Sequence, residues 1–266
     1  MIKALLLDID GTLLPRGVEK IDEMTVRAIW QAHEKGIKII IATGRGYNIM
    51  ALDVKQSLPV DYFITVNGGC INQKDGTVVF SYPMDPEDVE RLIEVGLKYD
   101  APFAFKFSDR MLAYNRYEDF TRLYCYGPIR KEWIGDETEN RRYHLEHEMP
   151  IGCFFFPNGF DVLALQQEFP TLKFVPAGVG SGAGECYSIR INKGRTIKRL
   201  MDSIGIKLEE CAAIGDSPND EEMLQMCGIG IAMGNAHEST KRVADYVTAD
   251  VYHQGIPKAL KDLNII

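Results

Sequence analysis

The sequence is short of three features: long apolar runs, an excess of basic residues and closely spaced cysteines. No stretch reaches the roughly 18 consecutive apolar residues that a membrane-spanning helix needs. The apolar run at the N-terminus is too short for a signal peptide. The 266 residues include 30 lysines and arginines against 38 aspartates and glutamates, a net charge of −8. Because nucleic-acid binding favours a basic face, we expect neither a nucleic acid nor a membrane as a partner.

The cysteines and histidines exclude zinc modules and disulfide-stabilised secreted domains. No two cysteines lie at CxxC spacing, and thiols scattered in this way suit a reducing compartment. They are Cys70, Cys125, Cys153, Cys186, Cys211 and Cys227. His144 and His147, in HLEH, lack the HExxH order of a zinc site and are expected to be solvated. We therefore expect a cytoplasmic protein without zinc.

What the sequence does contain is a regular alternation of strand and helix patterns at both ends. The first segments are KALLLDI, DEMTVRAIWQAHEKG, IKIIIAT, GYNIMALDVKQSL and DYFITVNGG. In the first helix, the residues expected on the buried face are Met24, Ala28, Ile29 and Ala32. The late segments are KGRTIKRLMDSIG, CAAIGD, NDEEMLQMCG, IGIAMGN, HESTKRVA, DYVTAD and GIPKALKDL. Strands that alternate with helices predict a parallel sheet with crossover helices.

Residues 83–185 break this alternation and are richer in aromatic residues. They begin with the helix pattern PEDVERLIEVGLKYD and continue with strand patterns such as PFAFKFS and IGCFFFP. The glycine-rich stretch AGVGSGAGE, residues 177–185, is interpreted as the return to the first domain. With 45% hydrophobic residues the chain is long enough for two domains. We predict an α/β protein whose core domain comprises residues 1–82 and 186–266, with an inserted α+β domain at 83–185.

Aspartates follow two of the predicted core strands. Asp8 and Asp10 come after the first strand, where a carboxylate is costly unless a cation holds it. Alone, this pair could be either a solvated turn or a metal site. Asp216 and Asp220 follow the late strand CAAIG. Because ligands bind at the carboxyl ends of parallel strands, the four carboxylates should converge, and their repulsion favours a hard divalent cation such as Mg²⁺.

The same strand ends supply the groups that phosphoryl transfer requires. Asp8 can attack phosphorus to form an aspartyl-phosphate. Asp10 can protonate the leaving oxygen and then activate water. Thr43 and the amide of Gly44, which follow the strand IKIIIA, can hold phosphate oxygens, and Lys193 at a predicted helix start can balance the charge. These residues indicate a phosphoryl-transfer enzyme.

The order of these motifs resembles that of the haloacid dehalogenase (HAD) superfamily. The segments that match its four motifs are DIDGTLL, Thr43 of ATGR, Lys193 of NKG and GDSPNDEEML. VNGG at 66–69, GIAMGNA at 230–236 and the insert resemble its Cof-type branch of sugar-phosphate phosphatases, which have a class II cap. The resemblance implies a HAD-like Rossmannoid parallel-sheet core and an α+β cap that closes over the site and selects the leaving group.

The resemblance also implies catalytic and metal-binding roles. Asp8 corresponds to the nucleophile and Asp10 to the general acid and base, while Lys193 steadies the nucleophile and the phosphate. Asp216 corresponds to a magnesium ligand, beside Asp8 and the carbonyl of Asp10. Asp220 corresponds to a further acidic residue of the metal site, which acts through water or through Lys193.

Four residues are expected to bind phosphate or substrate: Gly44, Arg45, Asn67 and Asn219. For Arg45, a capping or ion-pairing role is an equal alternative. The cap residues that face the site cannot be identified from one sequence.

These inferences predict a magnesium-dependent phosphatase that hydrolyses small phosphorylated metabolites, most of all sugar phosphates. Two alternatives stay open: a phosphomutase with the same nucleophile, and a sensor that binds a sugar phosphate without turnover. Release of inorganic phosphate distinguishes the phosphatase from both. Monomer and homodimer are both compatible with the sequence.

Overall fold

The computed structural model describes residues 1–125, 129–177 and 182–266 and divides the chain into two compact units. The first unit comprises Met1–Gly44, Met50–Val79 and Asn192–Ile266, and the second comprises Arg45–Ile49 and Phe80–Ile191. Residues 178–181 of the predicted return loop and residues 126–128 lie outside the described residues.

The secondary-structure elements follow in chain order. The strands are β1 (Ala4–Leu7), β2 (Lys38–Ala42), β3 (Tyr62–Thr65), β4 (Cys70–Gln73), β5 (Val78–Ser81), β6 (Phe103–Lys106), β7 (Met111–Asn115), β8 (Ile134–Asp136), β9 (Gly152–Phe155), β10 (Leu172–Pro176), β11 (Gly184–Ser188), β12 (Cys211–Gly215), β13 (Ile229–Ala232) and β14 (Tyr246–Val247). The α-helices are α1 (Glu23–Glu34), α2 (Leu52–Ser57), α3 (Pro86–Lys98), α4 (Tyr117–Tyr124), α5 (Tyr143–Glu146), α6 (Lys193–Ile204), α7 (Glu221–Met226), α8 (Glu238–Val243) and α9 (Gly255–Asp262). Short 3-10 helices are Val66–Gly68, Lys131–Trp133, Leu163–Gln167, Leu208–Glu210 and Pro218–Asp220.

An eight-stranded sheet has the order β14-β13-β12-β1-β2-β3-β4-β5. The pairs from β14 to β3 are parallel, and β3 pairs with β4 antiparallel. All residues of β1 and β12 are buried, as expected for central parallel strands that are covered on both faces. The predicted α/β class with a parallel-sheet core is therefore confirmed. Strand β4, which pairs antiparallel with β3, and the edge strand β5 were not predicted.

Helix α1 illustrates how the sequence specifies these elements. The Asp22 side chain accepts a hydrogen bond from the Thr25 amide at 3.1 Å and caps the helix. The buried stripe consists of Thr25, Ala28, Ile29 and Ala32, which have the i, i+3, i+4, i+7 spacing of one helix face. Met24 lies off this stripe and is 39% exposed, so its predicted burial is wrong.

The second unit contains a six-stranded sheet in the order β10-β11-β9-β6-β7-β8. Its pairs are antiparallel except β7 with β8. One face packs Phe103, Phe105 and Phe155 against residues of α3, and the opposite face packs Phe154 against Phe120 of α4. Both faces are thus covered by apolar side chains, in keeping with the predicted α+β insert.

The second unit begins at Phe80 instead of residue 83, and it differs from the predicted insert at two further places. Strand β11 pairs with β9 and β10, so the segment that the sequence assigned to the core from residue 186 continues the insert sheet. Arg45–Ile49 also belongs to the second unit. There Asn48 Nδ2 donates to the Trp133 carbonyl at 2.8 Å, and Ile49 joins the cluster around Phe120. Neither long-range contact has a local sequence signal.

His144 is buried, so its predicted exposure is wrong. Its Nδ1 lies 3.1 Å from the hydroxyl of Tyr114, and its Nε2 lies 2.9 Å from a carboxylate oxygen of Glu90. Burial raises the pKa of the Tyr114 hydroxyl above its usual value, so this group remains a neutral hydrogen-bonding partner. The contacts give His144 a structural environment within the second unit.

Among the described residues, no helix has both the length and the apolarity needed to cross a bilayer.

The second unit contains a buried ion pair between Lys106 and Glu185, in which the two side chains are 4% and 16% exposed. Burial lowers the pKa of Lys106, but the carboxylate of Glu185 outweighs this effect and holds it above its usual value.

Glu185→Gln should lower the free energy of unfolding by about 3–5 kcal/mol, because the buried Lys106 ammonium then loses its carboxylate. Lys258→Met, which breaks an exposed ion pair with Asp262, is the matched control and should have a far smaller effect. Urea unfolding followed by circular dichroism measures both. The double replacement Lys106→Met with Glu185→Leu should recover most of the loss. A loss for Glu185→Gln no larger than that of the control would contradict this interpretation.

Candidate active site

The site is built at the carboxyl ends of three adjacent strands. Leu7 of β1 is the register partner of both Ile41 in β2 and Ile214 in β12. The three strands therefore end at nearly the same position along the edge of the sheet. Asp8 directly follows β1, and its amide still donates to the Ile214 carbonyl at 3.1 Å.

Three of the four predicted carboxylates meet there. Asp8, Asp216 and Asp220 each place one carboxylate oxygen within 4.8 Å of the others, and all three are buried. The Asp10 carboxylate is not a member of this group. Asp10 is only half-buried, and it forms an isolated bridge with Leu14. The buried acidic cluster therefore comprises Asp8, Asp216 and Asp220.

The ammonium of Lys193 lies between two of these carboxylates. Its Nζ donates to Asp8 Oδ1 at 2.8 Å and to Asp220 Oδ1 at 2.6 Å. Lys193 is the first residue of α6, and it is 2% exposed. The Asn192 side chain caps this helix by accepting from the Arg195 amide at 2.7 Å. Helix capping therefore fixes the backbone from which the lysine reaches the acidic cluster.

Asp220 is held on both of its oxygens. Oδ2 accepts from the amides of Asp216 and Ser217 at 3.1 and 3.0 Å, while Oδ1 accepts from Lys193. A Cβ on Gly215 would lie 2.6 Å from the Cβ of Asp220, so only glycine fits there. The backbone around Asp216 is consequently fixed by the side chain of Asp220.

Burial and repulsion change the acidities of these groups. Burial and the neighbouring Asp220 raise the pKa of Asp8 well above its usual value, and Lys193 only partly opposes this. Burial, followed by Asp220, raises the pKa of Asp216 to about 6. Burial lowers the pKa of Lys193, but Asp220 and Asp8 outweigh it, so the lysine remains charged.

The residues present fit a divalent metal ion. Three carboxylates and one ammonium have a formal charge of −2, and carboxylate oxygens are the donors that hard cations prefer. Gly11, at φ 94°, allows a close approach here, because a Cβ would lie 2.4 Å from Asp216 Oδ2. The buried acidic cluster could therefore hold a metal ion.

The predicted phosphate-binding residues form a second group beside β2. Thr43 is buried, and its amide donates to the Ile64 carbonyl at 2.9 Å. Asn219 Nδ2 donates to Asn67 Oδ1 at 2.9 Å, and a Cβ on Gly44 would lie 3.0 Å from that oxygen. The structure thus brings Gly44, Asn67 and Asn219 together. The fourth predicted substrate-binding residue, Arg45, belongs to the second unit.

Two further residues support the site and were missed in the sequence. Asn235 Nδ2 donates to the Gly11 carbonyl at 2.8 Å, and its Oδ1 accepts from the Val251 amide at 2.9 Å. Thr12 Oγ1 lies 3.4 Å from Asp216 Oδ1. Both residues lie in quoted motifs, GIAMGNA and DIDGTLL, but nothing in a single sequence shows which motif residues bridge between loops.

Comparison with known proteins agrees with this arrangement. Residues 5–260 match the model of the haloacid dehalogenase-like hydrolases. The 5-amino-6-(5-phospho-D-ribitylamino)uracil phosphatase YcsE of Bacillus subtilis (strain 168) is 26% identical over 273 residues, which cover 98% of this chain and 95% of that protein. The HMP-PP phosphatase of Yersinia pestis (strain Pestoides F) is 27% identical over 254 residues, 91% of this chain and 87% of that protein. The solved structure of a HAD subclass IIB sugar phosphatase has a TM-score of 0.84 at 30% identity, covering 99% of this chain and 100% of that one.

The chain is a member of the haloacid dehalogenase-like hydrolase family. This membership confirms the resemblance found in its motifs. It also confirms the prediction of an enzyme of the phosphatase class, which is the class of the relatives named above.

Asp216→Asn should stabilise the metal-free protein at pH 7.5 by up to about 3 kcal/mol relative to the wild type. Because the pKa of Asp216 is about 6 when folded and 3.8 in its ordinary state, the folded protein binds the proton more tightly. Asp216 therefore destabilises the fold above pH 6, and this penalty is lost as the pH falls towards 4.

Urea unfolding with EDTA at pH 7.5 and 4.5 measures this difference, which should shrink at the lower pH. Asp262→Asn is a suitable control, because Lys258 lowers the pKa of that exposed carboxylate and its replacement should not stabilise. A metal-free Asp216→Asn protein no more stable than the wild type at pH 7.5 would contradict the prediction.

Proposed function

We propose that this protein is a magnesium-dependent phosphatase that hydrolyses small phosphorylated metabolites, most of all sugar phosphates, through an aspartyl-phosphate. The observation that carries the proposal is the buried Asp8 carboxylate, held through Oδ1 by Lys193 and close to Asp216. A carboxylate that is fixed on one oxygen presents the other as a nucleophile of defined direction. Cytoplasmic location and a monomeric or homodimeric state remain predictions from the sequence.

In the first step, Asp8 attacks phosphorus while the bond from phosphorus to the ester oxygen breaks. The departing alkoxide takes a proton from Asp10, so an alcohol leaves and an acyl phosphate remains on Asp8. In the second step, Asp10 accepts a proton from water as the water oxygen attacks phosphorus. Inorganic phosphate is released, and the Asp8 carboxylate is restored.

Asp8, Asp216 and the carbonyl of Asp10 would hold the magnesium ion, which supplies charge neutralisation for the phosphate oxygens. Asp220, predicted as a metal ligand, is better suited to a positioning role, because both of its oxygens already accept hydrogen bonds. It would keep Lys193 charged and oriented. Lys193 in turn would hold Asp8 and the transferred phosphate.

Thr43 and the Gly44 amide would bind phosphate oxygens, with Asn67 and Asn219 beside them. Arg45 would contact the leaving group, and the insert at 83–185 would act as a cap that selects it. Two of the relatives are named for their substrates, a phosphoribityl pyrimidine for one and a sugar phosphate for the other. These substrates support small phosphorylated metabolites as the substrate class of this protein.

Phosphate release from a panel of phosphorylated sugars, nucleotides and cofactors, with and without Mg²⁺, tests the proposal. We expect magnesium-dependent release, and Asp8→Asn should lower it by about 10³-fold or more, because the nucleophile is lost. Asp262→Asn, an exposed carboxylate of α9, is the matched control and should retain full activity.

Conversion of a sugar phosphate to its isomer without phosphate release would indicate the mutase instead. Binding without turnover would indicate the sensor. Full activity of Asp8→Asn would refute the proposed nucleophile.

A further inference from the structure

The turn that follows β3 is strained. Val66, Asn67 and Gly68 have φ angles of 50°, 56° and 100°. Left-handed φ is ordinary for glycine and tolerated by asparagine, but it is an outlier for a β-branched valine. Such a backbone persists only where the surrounding structure holds it. The contacts of this turn therefore show which segments of the first unit hold it in this conformation.

The turn is bonded to two of the loops that carry the candidate site. The Asn67 amide donates to the Thr43 carbonyl at 3.0 Å, at the end of β2. Asn67 Oδ1 accepts from Asn219 Nδ2 at 2.9 Å, one residue before Asp220. The strained turn thus links the candidate phosphate-binding loop to the loop of the acidic cluster.

A third bond joins the turn to the helix that bears Lys193. Thr196 Oγ1 donates to the Gly68 carbonyl at 2.6 Å, and the threonine is 1% exposed. Gly68 packs so closely against the helix start that a Cβ would lie 2.4 Å from the Asn192 carbonyl oxygen. Thr196 follows Lys193 by three residues, so the two lie on the same face of α6.

We propose that Thr196 is a positioning residue whose bond to the Gly68 carbonyl fixes the first turn of α6, and with it the Lys193 ammonium against Asp8 and Asp220. Without the hydroxyl, a buried carbonyl loses its donor, and the strained turn loses its bond to the helix. The first turn of α6 would then shift to relieve both, and the lysine would shift with it.

The proposal is tested by the kinetics of Thr196→Val, a replacement that keeps the side-chain shape but removes the hydrogen-bond donor. This test rests on the proposed phosphatase activity. We expect kcat to fall by about 10- to 100-fold, because small misplacements of reacting groups cause losses of this size. The change in KM should be much smaller. Thr196→Ser should restore kcat. The matched control is Thr248→Val, which removes another buried threonine bond of the first unit, to the Gly255 carbonyl at 2.7 Å.

Reductive methylation of the folded proteins, read by peptide mass spectrometry, tests the same point without a substrate. Lys193 should be protected in the wild type and in Thr196→Ser and should be labelled faster in Thr196→Val. The buried Lys106 of the second unit should stay protected in all variants and serves as the internal control.

Unchanged protection of Lys193 in Thr196→Val would overturn the inference, even if the wild type turned over no ester. Equal losses of kcat for Thr196→Val and Thr248→Val, in proportion to their losses of thermal stability, would also overturn it. A wild type without turnover whose Lys193 becomes labelled in Thr196→Val would refute the proposed function and support the inference.

Discussion

The candidate site depends on the ammonium of Lys193, which lies 2.8 Å from Asp8 Oδ1 and 2.6 Å from Asp220 Oδ1. Without this cation, the buried carboxylates of Asp8 and Asp220 would lose the ammonium that they share, and the burial of charges without such a partner is costly. With it, one oxygen of Asp8 is fixed and a formal charge of −2 is left for a divalent ion. The two contacts of Lys193 therefore account for the stability of the cluster, the direction of the nucleophile and the affinity expected for a metal.

The backbone around the site follows from this requirement. The carboxylates can approach one another only where the chain has no side chain to obstruct them, as at Gly11 beside Asp216 and at Gly215 beside Asp220. The helix that bears Lys193 is in turn held by the strained turn through Gly68. These constraints on the backbone are locally unfavourable, and the packing of the parallel sheet offsets them, as is typical of functional sites.

Much of this arrangement was predictable because parallel strands end at one edge of a sheet. Adjacent strands bring Asp8 and Asp216 together, and the helix pattern that begins at Lys193 places a cation nearby. The sequence could not show which of the four carboxylates would come within 4.8 Å of one another, because that depends on the conformation of the turn after β1. It also could not show that Arg45 packs with the second unit, since that depends on contacts between segments distant in the chain.

Titration of Mg²⁺ into metal-free protein by calorimetry tests the central claim most directly, since a buried charge of −2 should bind one ion per chain. Asp216→Asn should weaken binding by about tenfold or more, because a coordinating charge is lost. Asp10→Asn should leave it nearly unchanged, because the proposed ligand there is the backbone carbonyl. Absence of binding to the wild type, or equal binding to Asp216→Asn, would contradict the account.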